Sequence, residues 1–270
     1  MGMGKTRVRT SAKLQRKWIS DFSEKEERGE YEPFYRTQDV TSSGFKARIP
    51  CPHNAGRVYH LLSQNETNTL IQLLHDPLVI DIKEQYPVTD IAKSKAFAKA
   101  LEIKHPKHVW SATDKAITFD FVCTLVGGKK RAVSVKPKHL VEHKRTNEKL
   151  MLEKTLAESL GWEYEITTDE QKNSEAVRNI FRILRGANLP IELVNEYTDF
   201  KDHFVRLLIK RTYHPLRNII HEVANIKGID FIDSFTLMQH GFWIHDIYSD
   251  PEVALLPEHS PYYLGLKVNA

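Results

Sequence analysis

The stretch Ile117 to Pro137, ITFDFVCTLVGGKKRAVSVKP, leaves a chain little alternative to a β-hairpin. Both arms, Ile117 to Val126 and Arg131 to Val135, are rich in β-branched and aromatic residues. Gly127-Gly128 between them supplies the positive φ that a tight turn needs. Asp120 stands on the first arm inside the apolar run Ile-Thr-Phe-Asp-Phe-Val, where a carboxylate is costly unless paired or metal-bound. The second arm ends Ser134-Val135-Lys136-Pro137, so Lys136 sits at a strand terminus. A carboxylate and a lysine at the open end of one hairpin are the core of a metal-dependent nuclease site. The oxygen holds Mg²⁺, and the ammonium positions the attacking water and offsets charge at the phosphate. A solvated cross-strand ion pair is the competing reading.

Register limits the turn. Directly opposed residues share a face, and a one-residue slip reverses it. A two-residue turn at Gly127-Gly128 opposes Asp120 to Val135 and puts Lys136 on the wrong side. A three-residue loop, Gly127 to Lys129, opposes Asp120 to Lys136, so a three-residue loop or a bulge is expected. Ser134 then faces the same way as Lys136.

The 270 residues suit one large domain or two ordinary ones. Apolar content of 41% and charged content of 27% are those of a soluble globular protein. No apolar run spans a membrane and no signal peptide is evident, so a cytoplasmic location is expected. Cys51 and Cys123 make neither a disulfide framework nor a zinc site. The net charge of +4 is mild. Its distribution says more: Lys5, Arg7, Arg9, Lys13, Arg16 and Lys17 all precede the first acid, Asp21. Such a leader suits phosphate contact, or equally a disordered solvated tail.

Ser11 to Arg28 reads as a helix with Leu14, Trp18 and Phe22 on one stripe. Residues 29 to 60 read as irregular, with turns at Ser42-Ser43-Gly44 and His53-Asn54-Ala55-Gly56 and with Tyr31, Phe34 and Tyr35 packing the loop down. A helix from Leu61 to His75 follows, its Ser63 and Glu66 forming a capping-box pattern. Glu66 has two readings here, a structural cap or a metal-ligating carboxylate beside the apolar face of Leu70, Ile71 and Leu74. Leu78 to Tyr86 alternates as a strand, and residues 88 to 105 read as helical. His105 and His108 flank a proline without further ligands, and His139 and His143 lack a third, so neither pair reads as a metal site. Glu142 to Leu160 is a strong helix and Trp162 to Thr168 a further strand. The order predicts an α/β fold, a mixed sheet flanked by helices, over residues 1–170.

Residues 171–270 read as a second, mainly helical domain. Helices are expected at Ser174–Leu184, Thr198–Ile209, His214–Ile226 and Asp230–Gln239, the last closed by Gly241, with a strand at Phe242–Tyr248. Three short helices and a β-wing predict a winged-helix-like module for partner or DNA binding.

Along the chain stand Glu66 on a helix, Asp120 in ITFDF, Ser134-Val135-Lys136-Pro137, and a helix carrying Leu152-Glu153. GRVYHLLS precedes Glu66, VIDIKEQYP follows it, and EYEITTDE follows the Glu153 helix. This pattern, over about residues 40 to 170, resembles the TnsA family, the endonuclease subunits of heteromeric Tns transposases. The resemblance implies a restriction-endonuclease-like fold. It also implies Mg²⁺-dependent hydrolysis, with Mn²⁺ as a substitute, of one strand at each 5′ end of a transposon. The implied partners are transposon-end DNA, a TnsB-type transposase that cuts and joins the 3′ ends, and a TnsC-type ATPase regulator. By position, Glu66 and Asp120 become metal ligands, the Val135 carbonyl completes the metal shell, Lys136 is the catalytic lysine, and Glu153 is a further acidic position. Ser134 departs from the Glu, Asp or Gln usual two residues before the lysine. A serine is a weaker hard-metal ligand. That departure keeps a second reading open, a weak or inactive nuclease-fold adaptor bridging DNA and transposition proteins. A nuclease of a restriction or recombination system is a third.

Overall fold

The hairpin forms the middle of a four-stranded sheet. The computed structural model describes residues 11–40, 44–51, 56–108, 111–172 and 174–269. The chain divides into two compact units, Met1–Lys172 and Asn173–Ala270. Lys5, Arg7, Arg9 and the turns expected at Ser42-Ser43 and His53 to Ala55 lie outside the described residues.

The first unit runs α1 (Ala12–Glu27), β1 (Ala47–Pro50), β2 (Val58–Leu61), α2 (Gln64–His75), β3 (Val79–Pro87), α3 (Ile91–Ala100), β4 (Thr118–Leu125), β5 (Lys130–Val135), α4 (Lys138–Val141), α5 (Lys144–Ser159), β6 (Glu163–Thr167) and α6 (Asp169–Lys172). The sheet order is β3-β4-β5-β6, with β5 and β6 parallel and the other pairs antiparallel. The parallel step needs a crossover, which α4 and α5 supply. Val122 and Ala132 of the hairpin pack with Leu152, Leu156 and Ala157 of α5 in one buried cluster. Phe34, Tyr35 and Phe22 form a second cluster with Ala116, and Trp18 and Tyr31 pack against it, so the aromatic loop is held down as expected.

The turn corrects the expected register. Phe121 pairs with Val133 and Thr124 with Lys130. The Leu125 N–H donates to the Lys129 carbonyl at 2.7 Å, so Lys129 belongs to the ladder and the loop is Val126-Gly127-Gly128. Gly127 and Gly128 have φ of 86° and 80°, a conformation that favours glycine. Continued, this register opposes Asp120 to Ser134 rather than to Lys136. The shift is two residues, so parity survives and Asp120, Ser134 and Lys136 share a face.

Three further expectations change. Residues 29–60 are not wholly irregular, because β1 and β2 pair antiparallel over four residues each. Strands this short carry little periodicity. Leu61 ends β2 instead of starting a helix, and α2 begins after Ser63, where the capping box places it. The helix expected from Glu142 starts at Lys144, after the separate turn of α4.

The second unit contains α7 (Glu175–Ile183), a 3₁₀ turn (Leu184–Ala187), α8 (Ile191–Val194), α9 (Tyr197–Lys210), α10 (Leu216–Lys227), α11 (Phe231–Trp243), β7 (Ile247–Tyr248) and β8 (Lys267–Val268). Its core includes Phe200, Phe204, Ile219, Ile220, Val223, Leu237 and Met238. Gly241 does not close α11, which continues to Trp243. A Cβ there would lie 2.8 Å from Ile247 Cδ1 and 2.9 Å from the Tyr197 hydroxyl, so the glycine serves close packing. The expected strand shrinks to Ile247–Tyr248, paired with Lys267–Val268. No helix among the described residues is long and apolar enough to cross a membrane.

Candidate active site

Asp120 and Lys136 meet at the open end of the hairpin. The Lys136 ammonium lies 2.8 Å from Asp120 Oδ2 and 2.9 Å from the Val135 carbonyl. The Val135 N–H donates to the same Oδ2 at 2.7 Å. Burial opposes the charge on Lys136, but the carboxylates of Asp120, Glu153 and Glu66 outweigh it and hold the ammonium above the usual lysine range. Lys136 is therefore a fixed positive charge at neutral pH and not a base.

Glu66 fills its capping role. Ser63 caps α2 by accepting from the Glu66 N–H at 3.2 Å. The Glu66 carboxylate accepts from the Leu62 N–H at 2.9 Å, the Ser63 hydroxyl at 3.0 Å and the Gln85 amide at 3.2 Å. It is also within electrostatic range of both Asp120 and Lys136. Burial, then the nearby Asp120 charge, push its pKa up to about 7 against those hydrogen bonds and Lys136. Asp120 and Lys136 thus meet directly, and Glu66 lies within electrostatic reach of both.

Ser134 and Glu153 form an adjoining buried pair. The Ser134 hydroxyl donates to Glu153 Oε2 at 2.6 Å, and the Tyr164 hydroxyl donates to the same oxygen at 3.3 Å. Lys149, one turn earlier on α5, lies 3.6 Å from Glu153 Oε1. Ser134 is fully buried, and its hydroxyl points at Glu153. The Glu153 carboxylate helps raise the Lys136 pKa, so it belongs to the site's electrostatics.

Two participants are not among the candidate site residues that the sequence offers. Gln85 reaches Glu66 from β3. Lys115, just ahead of the hairpin, feels Lys149, Asp120 and Glu153 and lies 5.1 Å over the Tyr35 ring. Burial and then Lys149 lower its pKa to about 8 against the two carboxylates. The remaining singled-out groups stay apart. His105 meets Ser94 and His108 meets Gln15, while His139 and His143 are exposed.

Residues 76–169 match the family model for the TnsA-like endonuclease N-terminal domain. The chain is also 34% identical, over 153 residues, to the transposon Tn7 transposition protein TnsA of Escherichia coli. That alignment covers 56% of this chain and 55% of the relative, so the chain spans about half the length of the curated relative it matches. Over these residues the chain is similar to TnsA-like endonucleases. The matched segment contains Asp120, Ser134, Lys136 and Glu153, and Glu66 lies just ahead of it.

The site has a donor set that fits a hard divalent cation. Among the described residues no three His, Cys, Asp or Glu side chains are arranged as a metal cluster. Mg²⁺ does not require one, because it keeps several waters and takes one or two carboxylates plus substrate phosphate oxygens. Burial and then the Asp120 charge raise the Glu66 pKa, and a cation relieves the repulsion between the two carboxylates. Both hydrogen bonds to Asp120 converge on Oδ2, and among the described residues Oδ1 receives none.

Proposed function

We propose that this chain is a Mg²⁺-dependent DNA endonuclease subunit of a heteromeric transposase, hydrolysing the strand at the 5′ ends of the transposon. The observation that supports the reading is the Asp120–Lys136 pair at the hairpin end, with Glu66 in electrostatic reach, in a segment similar to TnsA-like endonucleases. Glu66, Asp120 and the Val135 carbonyl would hold the cation, with Mn²⁺ a substitute. When bound, such a cation supplies a Lewis acid and water of lowered pKa.

The chain's own residues do the rest. Asp120 and the Val135 carbonyl fix the Lys136 ammonium, whose charge stabilises the attacking water and the extra negative charge at phosphorus. Neither of two candidate nucleophiles among the described residues is available: the Ser134 hydroxyl is buried and committed to Glu153, and burial pushes the Cys123 thiol up to about 12. Direct hydrolysis by water follows, leaving a 5′-phosphate and a 3′-hydroxyl. The partners are a TnsB-type transposase and a TnsC-type ATPase in the cytoplasm, with the second unit a winged-helix-like module that docks a partner or DNA.

The test is cleavage of transposon-end DNA in Mg²⁺ or Mn²⁺, with and without the partner proteins. Wild-type protein is expected to cut, and Lys136→Ala is expected to lose cutting. Full activity in Lys136→Ala overturns the assignment. The direction of Ser134 favours one rival, an inactive nuclease-fold adaptor. Metal titration separates the two, since an adaptor binds neither Mg²⁺ nor Mn²⁺ at Glu66 and Asp120.

A further inference from the structure

Gln85 lies inside β3 with φ of 50°, in the left-handed region that residues with a Cβ avoid. The other positive-φ residues with side chains among those described, Glu102, Ala112 and His245, all lie outside helices and strands. Gln85 is buried. Its carbonyl accepts from the Phe34 N–H at 3.2 Å, which anchors the distorted backbone. The ladder on either side, Glu84 with Phe121 and Tyr86 with Phe119, leaves Gln85 opposite Asp120. A glycine would occupy this position without strain. A strained, buried glutamine is explained if its side chain has work to do.

That side chain donates from Nε2 to Glu66 Oε2 at 3.2 Å. The other donors to Glu66, the Leu62 N–H and the Ser63 hydroxyl, belong to the start of its own helix. Among the described residues, the Gln85 amide is therefore the hydrogen bond that ties Glu66 to the sheet bearing Asp120. We propose that Gln85 is a positioning residue whose amide sets the Glu66 carboxylate against that of Asp120, so that the pair takes up one divalent cation. This rests on the metal-nuclease reading above.

The test compares Gln85→Gly and Gln85→Met in the full chain. Both lose the amide, but the glycine relieves the backbone and the methionine keeps both the side-chain volume and the strain. Mn²⁺ affinity is read by calorimetry, with Asp120→Asn as the variant that abolishes binding at this site. Both variants are expected to bind Mn²⁺ ~10- to 100-fold more weakly, the usual loss when a ligand's hydrogen-bond support is removed. The melting temperature of Gln85→Gly is expected to exceed that of Gln85→Met. Equal loss of affinity at unequal stability assigns a positioning role. Wild-type affinity in either variant overturns the proposal. A second readout needs no metal: the Gln85 side-chain amide protons, followed by NMR, are expected to be protected from exchange and to shift with Glu66→Gln. Fast exchange with no such shift overturns the proposal. A wild-type protein that binds no Mn²⁺ sinks the nuclease reading instead, and the amide resonances then decide the role of Gln85.

Discussion

The Lys136 ammonium and Asp120 Oδ2 stand 2.8 Å apart, and both side chains are largely buried, at 19% and 16% exposure. Truncation of Lys136 leaves the Asp120 carboxylate with one remaining described donor, the Val135 N–H. Breaking a charge-assisted pair in this way costs about 1–3 kcal/mol. Lys136→Met, which keeps the stem, is therefore expected to lower unfolding free energy by about that much and to reduce cleavage by about 10²-fold or more. Urea unfolding and single-turnover cleavage check the two effects separately. Loss of stability without loss of cleavage would assign Lys136 a structural role.

The raised pKa of Glu66 sets a pH window. The folded protein holds the Glu66 proton up to about 7, whereas the ordinary value is 4.5. Between these values the folded state binds more protons than the unfolded one, so this group's contribution makes stability fall as pH rises from 4.5 through 7. The slope is at most about 1.4 kcal/mol per pH unit. Glu66→Gln is expected to flatten that decline in metal-free protein, as measured by melting temperature against pH. Cation affinity runs the other way. Protons compete for Glu66, so Mn²⁺ binding should weaken as pH drops through 7 and release a proton when it forms.

Ser134 and Glu153 make a third test. Glu153 is 1% exposed, and the Ser134 hydroxyl at 2.6 Å is its shortest hydrogen bond among the described residues. Ser134→Ala removes that donor from a buried carboxylate and is expected to cost about 1–3 kcal/mol in urea unfolding. Ser134→Gln, which restores the usual residue type, adds volume at a fully buried position, and overpacking costs about 1–3 kcal/mol. A gain in stability for Ser134→Gln would show that the hydroxyl is not packed as described.

What the chain's pattern reveals is whatever local chemistry dictates. Ser63 and Glu66 announce a helix start because a cap needs those side chains at that spacing, and α2 begins there. Parity places Asp120 and Lys136 on one face even though the turn is one residue earlier than expected, because period-2 alternation survives a two-residue register shift. The link from Ser134 to Glu153 joins a strand to a helix 19 positions away, and nothing local marks it. The left-handed turn at Gln85 is equally hidden, because glutamine is not a residue that signals positive φ. Lys115 looks like any surface lysine until the fold closes around it.

The second unit offers a packing test of the same kind. Gly186, in the 3₁₀ turn, crosses α11 so closely that a Cβ would lie 2.3 Å from the backbone carbon of Gln239 and the backbone nitrogen of His240. The contact is reinforced from both sides. The His240 ring meets the Gly186 carbonyl at 2.8 Å, and the Gln239 amide donates to the Arg182 carbonyl at 2.5 Å. Both obstructing atoms are backbone, so the helix must shift bodily to admit a methyl group. Gly186→Ala is expected to destabilise this unit by about 1–3 kcal/mol, the usual range for overpacking. Trp243 is at the end of α11 and is this unit's single tryptophan, so its fluorescence in a background lacking the other three reports the transition. Wild-type stability in Gly186→Ala would mean that the turn and α11 do not approach this closely in solution.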